Sequence, residues 1–265
     1  MAAIDIGYGA SYYNDHIFSN CVFFDTSNPA NATGVLTSFE VWIWGSSYAL
    51  DFRIGTVYQP IANKVQGRDS EYIGTVATGS KQTFSGKNCD VVSGDFLGCY
   101  GTNGAPCSYY YSGDPTVWVN RFDTNGDNFG AGPFSPLPHS AGYRINIYAT
   151  GTTLNPVTLT TQAATAITTT GLTGNGTITY VDPLKNATQR GFCYMPGTSG
   201  DPTTANSTAF DSGSFVAGAY TKNIAGLTPG TAYRVRAYAS HSLGTYYGTT
   251  VQGTTLTATQ WDTVL

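Results

Sequence analysis

The period of its apolar residues constrains this chain more than any other feature. No window of about a dozen residues carries apolar side chains at the i, i+3, i+4, i+7 spacing of a helix, and no Ala/Leu/Glu/Lys-rich segment is present. Short runs rich in aromatic and β-branched residues recur instead, bounded by Gly, Pro, Asn and Ser, which predicts an all-β chain. In the first half these runs are IFSNCVFFD (17–25), LTSFEVWIW (36–44), LDFRIGTVY (50–58), EYIGTV (71–76), KQTFSG (81–86), DVV and DFLGCYG on either side of Ser93, PTVWVNRF (115–122) and YRINIYA (143–149). So many strands in about 150 residues predict a two-sheet, jelly-roll-like sandwich. In LTSFEVWIW, Phe39, Val41 and Ile43 alternate with Glu40, Trp42 and Trp44, so either both faces of that strand are covered or it exposes two indoles.

The pattern breaks at GTTLNPVTLTTQAATAITTTG (151–171), which is Thr-rich and uncharged, with Pro156 where one sandwich could end and the next begin. The expected division is 1–155 for a docking or oligomerising sandwich, 156–256 for a second sandwich and 257–265 for a tail. In the second half, GLTPGTAYRVRAYA (226–239) joins turn chemistry at Pro229 and Gly230 to a strand. There Tyr233, Val235, Ala237 and Ala239 share one face, and Arg234, Arg236 and Tyr238 share the other, which predicts one buried and one wet side.

The surface implied is unusual. Charged residues are only 11% of the chain, well under the roughly 25% of ordinary domains, so hydroxyls and amides must wet the outside. A net charge of −4 and no Lys/Arg cluster argue against nucleic acid as a partner. No apolar run approaches the ~20 residues needed to cross a bilayer, so membrane insertion is not expected. The start, MAAIDIGYGASYYND, lacks a basic n-region and an apolar h-region, so no signal peptide is read there. With Met1 present, the expectation is synthesis in the cytoplasm and arrival outside as part of a particle.

From Val157 to Leu256, the elements VTLTTQAATAIT, TGNGTITYVDPLKNATQRGFCY, DPTTANST and DSGSFVAGAYTKNIAGLTPGTAYRVRAYASHSLGTYYG resemble a fibronectin type III-like domain. This is an immunoglobulin-like sandwich of the sort found in bacterial surface proteins and phage structural proteins. The resemblance implies seven strands with Greek-key connections and a tyrosine corner at Tyr233, whose hydroxyl returns to the backbone near the turn. It also implies that Cys193 is a buried strand residue without an inter-sheet disulfide. The first half, in IDIG, NPANATGVLTSFEVW and SKQTFSGKNCDVVSGDFLGCY, is similar to β-sandwich domains of viral and environmental sequences, a likeness that implies no mechanism.

Candidates for chemistry are few. The five cysteines are Cys21, Cys89, Cys99, Cys107 and Cys193. A hairpin turning at Ser93, Gly94 and Asp95 would set Cys89 opposite Cys99 for a cross-strand disulfide, although two reduced cysteines packed as small apolar side chains are the favoured reading. In RFDTNGDNFG, Asp123, Asn125 and Asp127 alternate like the start of a calcium loop, but Asn128 stands where the loop glycine belongs and Phe134 where the final Glu would be. A plain Asn-Gly turn explains the same letters. Tyr12, Tyr13, Trp42, Trp44 and SYYYSGDPTVW (108–118) could form a sugar-stacking platform or could fill cores and subunit contacts. Four sequons, at Asn31, Asn175, Asn186 and Asn206, are about what composition alone produces.

Glu40 and Glu71 are the only glutamates, His16, His139 and His241 are scattered, and no G-x-S-x-G, P-loop, G-x-G-x-x-G or H-E-x-x-H occurs. No catalytic residue, metal or cofactor is therefore expected, and no binding residues are assigned. The expected function is that of a non-enzymatic phage virion protein, a capsid decoration, head-fibre or tail-associated component displaying an immunoglobulin-like domain. Its partners would be copies of itself, other virion proteins and, weakly, glycans. The alternative is a secreted or cell-surface adhesin, carbohydrate-binding module or fibril subunit.

Overall fold

The computed structural model describes residues 3–9, 21–43, 49–102, 109–111, 118–122, 127–141 and 143–258. The described residues are all-β, without a helix. The chain divides into two compact units, Met1–Leu154 and Asn155–Leu265.

The first unit contains β1 (Ala3–Gly7), β2 (Phe23–Asp25), β3 (Gly34–Trp42), β4 (Ala49–Ile61), β5 (Lys64–Val76), β6 (Lys81–Val91), β7 (Phe96–Thr102), β8 (Tyr109–Tyr111), β9 (Trp118–Phe122), β10 (Pro136–Ala141), β11 (Tyr143–Ile145) and β12 (Ile147–Thr153). One sheet runs β1-β12-β3-β6 and the other β10-β9-β2-β7-β4-β5, while β8 and β11 pair separately. Without β9 and β10, the two four-stranded sheets are β1-β12-β3-β6 and β2-β7-β4-β5, the strand order of a jelly roll. Between the sheets lies a core that includes Ile4, Ile6, Phe39, Phe52, Ile54 and Leu97, all fully buried.

Local sequence explains how each strand serves that core. In β3, Phe39 and Val41 point inward and Glu40 and Trp42 are half-exposed, so the expected alternation is present. Leu36 also faces the core, and the parity change between Leu36 and Phe39 is absorbed by a bulge where the pairing with β6 shifts between Leu36 and Ser38. The run YRINIYA is not one strand. It splits at Asn146 into β11 and β12, and Asn146 returns its carbonyl to the Trp42 N–H at 3.1 Å.

β2 is buried on both sides. Phe23 enters the inter-sheet core, while Phe24 joins Val22, Val57, Val65, Tyr100 and Phe129 in a second cluster on the outer face of the six-stranded sheet. That outer cluster is roofed by the 127–136 segment, which crosses β5 through paired Val65 and Phe134 backbone hydrogen bonds of 2.8 Å each. Gly67 permits the crossing, because a Cβ there would lie 2.1 Å from the Phe129 carbonyl oxygen.

The Ser93 turn corrects one expectation. It does not close a hairpin within a sheet but carries the chain from β6 in one sheet to β7 in the other. Cys89 pairs in register with Leu36 and Cys99 with Phe23 and Ile54, so the two cysteines belong to different sheets. Cys89 holds a free thiol, pushed well above its ordinary range chiefly by burial, whereas Cys99 is disulfide-bonded. The proposed Cys89–Cys99 bridge is therefore absent.

The second unit contains β13 (Thr158–Thr165), β14 (Gly171–Tyr180), β15 (Ala187–Pro196), β16 (Ser207–Phe215), β17 (Gly218–Ala225), β18 (Ala232–His241) and β19 (Gly244–Thr254). They form a three-stranded sheet, β13-β14-β17, and a four-stranded sheet, β16-β15-β18-β19. The chain changes sheet after β14, β16 and β17, which makes a Greek-key sandwich around Phe192, Tyr220, Ile224, Val235 and Ala237. Tyr233 accepts a 3.0 Å hydrogen bond from the Thr228 N–H, the return to the turn that the resemblance implies. Cys193 is a buried free thiol, as also implied.

The outer side of β18 is less wet than the sequence suggests. Tyr233, Val235, Ala237 and Ala239 are buried as expected, but Tyr238 on the opposite face is buried too, at 1% exposure. Its hydroxyl donates to Gln189 Oε1 at 2.8 Å and its ring lies 6.4 Å from that of Tyr247. The 197–206 segment folds over the same face. There the Cys193 thiol donates to the Pro202 carbonyl (3.2 Å), Arg234 Nε donates to the Gly200 carbonyl (3.0 Å), and Thr204 N–H donates to the Tyr247 hydroxyl (3.2 Å).

Candidate functional site

Among the described residues, those singled out from sequence do not converge. Asp127 is held by Arg53 in a 2.6 Å ion pair, and Asp123 and Asn125 lie outside the described residues. Trp42 is half-exposed on β3 of the four-stranded sheet, whereas Trp118 begins β9 of the six-stranded sheet and Tyr109–Tyr111 form β8, which pairs with β11. Tyr12, Tyr13, Trp44 and His16 lie outside the described residues, and His139 lies in β10. His241 is buried at the end of β18, with Nδ1 accepting from the Leu243 N–H at 3.0 Å.

The two glutamates sit in ion pairs, Glu40 with Lys81 (3.1 Å) and Glu71 with Lys87 (3.8 Å). Of the sequon asparagines, Asn175 lies within β14 and donates to the Ala163 carbonyl, Thr165 Oγ1 and the Thr173 carbonyl. Asn186 donates to Ser214 Oγ and Asn31 to the Ala3 carbonyl, while Asn206 uses its side-chain oxygen to accept from the Thr203 N–H.

A surface hollow that the sequence did not single out lies at one end of the first unit. It has a volume of about 260 Å³ and sits between the β4–β5 hairpin and the turn that joins β6 to β7. Its frame is an ion pair: Arg68 on β5 donates from Nε to Asp95 Oδ2 at 2.6 Å and from Nη2 to Asp95 Oδ1 at 3.0 Å. Asp95 is buried, and it also accepts from the Val92 N–H at 2.8 Å, so one carboxylate closes the turn and fixes the arginine. The Arg68 guanidinium stacks over Tyr58 with 4.3 Å to the ring centroid, and the Tyr58 hydroxyl donates to Gln66 Oε1 at 3.2 Å.

The turn is itself pinned. The Gly94 N–H donates to the Ala30 carbonyl (2.9 Å), the Ala30 N–H to the Asp95 carbonyl (2.8 Å) and the Ser93 N–H to Thr33 Oγ1 (3.0 Å). Gly94 has φ of 91°, a conformation that other residues rarely adopt. A second hollow of about 140 Å³ shares Gln59 and Phe96 with the first and continues to Phe24, Thr26, Val65 and Pro136. The Phe96 ring stacks on Phe24 with centroids 6.2 Å apart.

Sequence reasoning missed these residues because their partnership is non-local. Arg68 and Asp95 are 27 residues apart and meet only once the β6–β7 turn crosses between sheets. The available signal was the SGD turn itself, with a carboxylate placed to accept from the backbone.

Comparison with known proteins finds no matching family model and no matching curated protein. Among solved structures, the chain is similar to the sensor domain of the anti-sigma factor RsgI4 in Pseudobacteroides cellulosolvens. One structure of that domain is 18% identical, with a TM-score of 0.30, covering 39% of this chain and 98% of the other. A solution structure of the same sensor domain is 17% identical, with a TM-score of 0.32, covering 38% of this chain and 76% of the other.

Proposed function

We propose that the protein is a non-enzymatic structural component of a phage virion, a capsid decoration, head-fibre or tail-associated protein. Its jelly roll docks to the particle or to further copies, and its second sandwich, a fibronectin type III-like domain, projects outward for weak, multivalent attachment. The observation that carries this reading is the joining, in one chain, of a jelly-roll strand order to a Greek-key sandwich of three and four strands. Jelly rolls recur in viral capsid and lectin domains, and the analogy of fold is what links this strand order to a particle. The Tyr233 return to the Thr228 N–H supports the immunoglobulin-like assignment of the second unit.

The acidic residues support a structural role. Glu40, Glu71, Asp95, Asp127, Asp201 and Asp211 each pair with a Lys or Arg, which commits their charge to holding strands and turns. Immunogold electron microscopy of the native source, with an antibody to residues 157–256, tests the proposal. Label on capsids or tails is the expected result, and label on cells or free fibres overturns it.

One observation favours a second reading, a secreted adhesin or carbohydrate-binding module. Cys99 is disulfide-bonded, and disulfides persist in oxidising compartments. Intact-mass measurement of protein from its source, with and without reductant, separates the readings: occupied sequons would favour secretion.

A further inference from the structure

We infer that the hollow framed by Tyr58, Gln59, Arg68, Ser93 and Phe96 is a binding site for a neutral saccharide. The charge balance sets the ligand class. Arg68 is the cation among the described residues that line the hollow, and its charge is met at contact by Asp95, so no net positive charge favours a phosphate, a sulfate or a carboxylate over a neutral ligand. Two of the five guanidinium N–H groups are taken by Asp95, and the others remain as fixed, planar donors. The Gln59 amide and the Ser93 hydroxyl add a donor-acceptor pair at the rim, and both residues are exposed. Half-buried Phe96 supplies an apolar surface beside these polar groups. A pyranose has this combination: vicinal hydroxyls for planar polar groups and a C–H face for an aromatic ring.

The walls are set before any ligand arrives. Arg68 is clamped by two hydrogen bonds and a ring, and the 92–95 turn is fixed by its bonds to residues 30 and 33. Little ordering is therefore left to oppose binding, which matters because weak ligands cannot offset it. The adjoining hollow, reached past Gln59 and Phe96, gives a second sugar unit a place to lie. A short oligosaccharide therefore fits better than a monosaccharide.

The test is titration of the full chain, by ligand-observed NMR and calorimetry, with neutral tetrasaccharides of glucose, xylose, mannose and N-acetylglucosamine, against sialyllactose and a heparin tetrasaccharide. At least one neutral series is expected to bind with a Kd of about 0.1–1 mM, corresponding to weak single-site affinity. Gln59→Ala, an exposed change, and Phe96→Ala are each expected to weaken binding about tenfold while the melting profile of Gln59→Ala stays that of the parent. Failure of every neutral sugar to bind at about 10 mM, stronger binding of the charged sugars, or binding indifferent to both variants overturns the site.

This inference goes beyond the virion reading and places recognition on the first unit. Particle label without sugar binding removes the site alone, and sugar binding with label elsewhere removes the virion alone.

Discussion

Tyr233 shows how a single hydroxyl fastens a turn. It is largely buried and accepts from the Thr228 N–H at 3.0 Å. Tyr233→Phe keeps the ring and removes the acceptor, and should cost about 1–2 kcal/mol in urea unfolding of the second unit. Asp25 behaves in the opposite sense. Its carboxyl lies above the ordinary 3.8 because burial disfavours the anion, an effect only partly offset by donors from Ser27 and the Ile145 N–H. A raised acid binds its proton more tightly in the folded state, so its contribution is complete below 3.8 and is lost as pH rises through the higher folded value. Relative to Asp25→Asn, the parent should therefore gain stability on acidification from neutral pH toward that window. Urea midpoints at several pH values check this, and parallel curves for the two proteins would refute it. The role of Tyr233 was legible through the resemblance carried by its motif, whereas that of Asp25 was not, since in the sequence it is only the last letter of a strand.

Strands were legible where one face is wet. The alternation in β3 and the inward set of β18 follow from period two. They became opaque where both faces are covered, as at β2, or where a segment roofs the outer face, as over Tyr238. A two-residue pattern cannot say which of two apolar neighbours meets which core. The Cys89–Cys99 expectation failed for a related reason. The turn residues Ser93 and Gly94 suit a reversal of direction, but only the assembled sheets decide whether the chain reverses within a sheet or crosses between two. The 127–136 strap is the element whose removal should be felt most on the outer face. Phe129, at 2% exposure, is its anchor, and Phe129→Ala should destabilise the first unit by about 3 kcal/mol, read as an earlier denaturant midpoint for that unit alone. An unchanged midpoint would mean that the outer cluster adds little to stability.

Over the whole chain, the all-β class and the presence of a second sandwich could be read from composition and turns, whereas the candidate site could not. The Arg68–Asp95 pair depends on a topology that no local pattern encodes. Because each unit has its own core, residues 155–265 should fold alone as a monomer with a single cooperative melt, checked by calorimetry and light scattering. The fragment should begin at Asn155, whose N–H donates to Asp182 at 3.1 Å. Assembly of that fragment into the same oligomer as the full chain would place the oligomer-forming surface in the wrong unit. The two units also differ in when they can form. The strand β1 has β12 as its strand partner, with Ala3 opposite Thr152, so although residues 28–31 also bond to it, it must wait for almost the last segment of its unit before it pairs within a sheet. During synthesis the first sheet therefore stays open along that edge until nearly all of the unit has left the ribosome. In the second unit, β13 meets β14 directly after the following turn. The first unit is thus the slower to close and the more exposed to mispairing while nascent, a burden set by its topology and independent of its final stability.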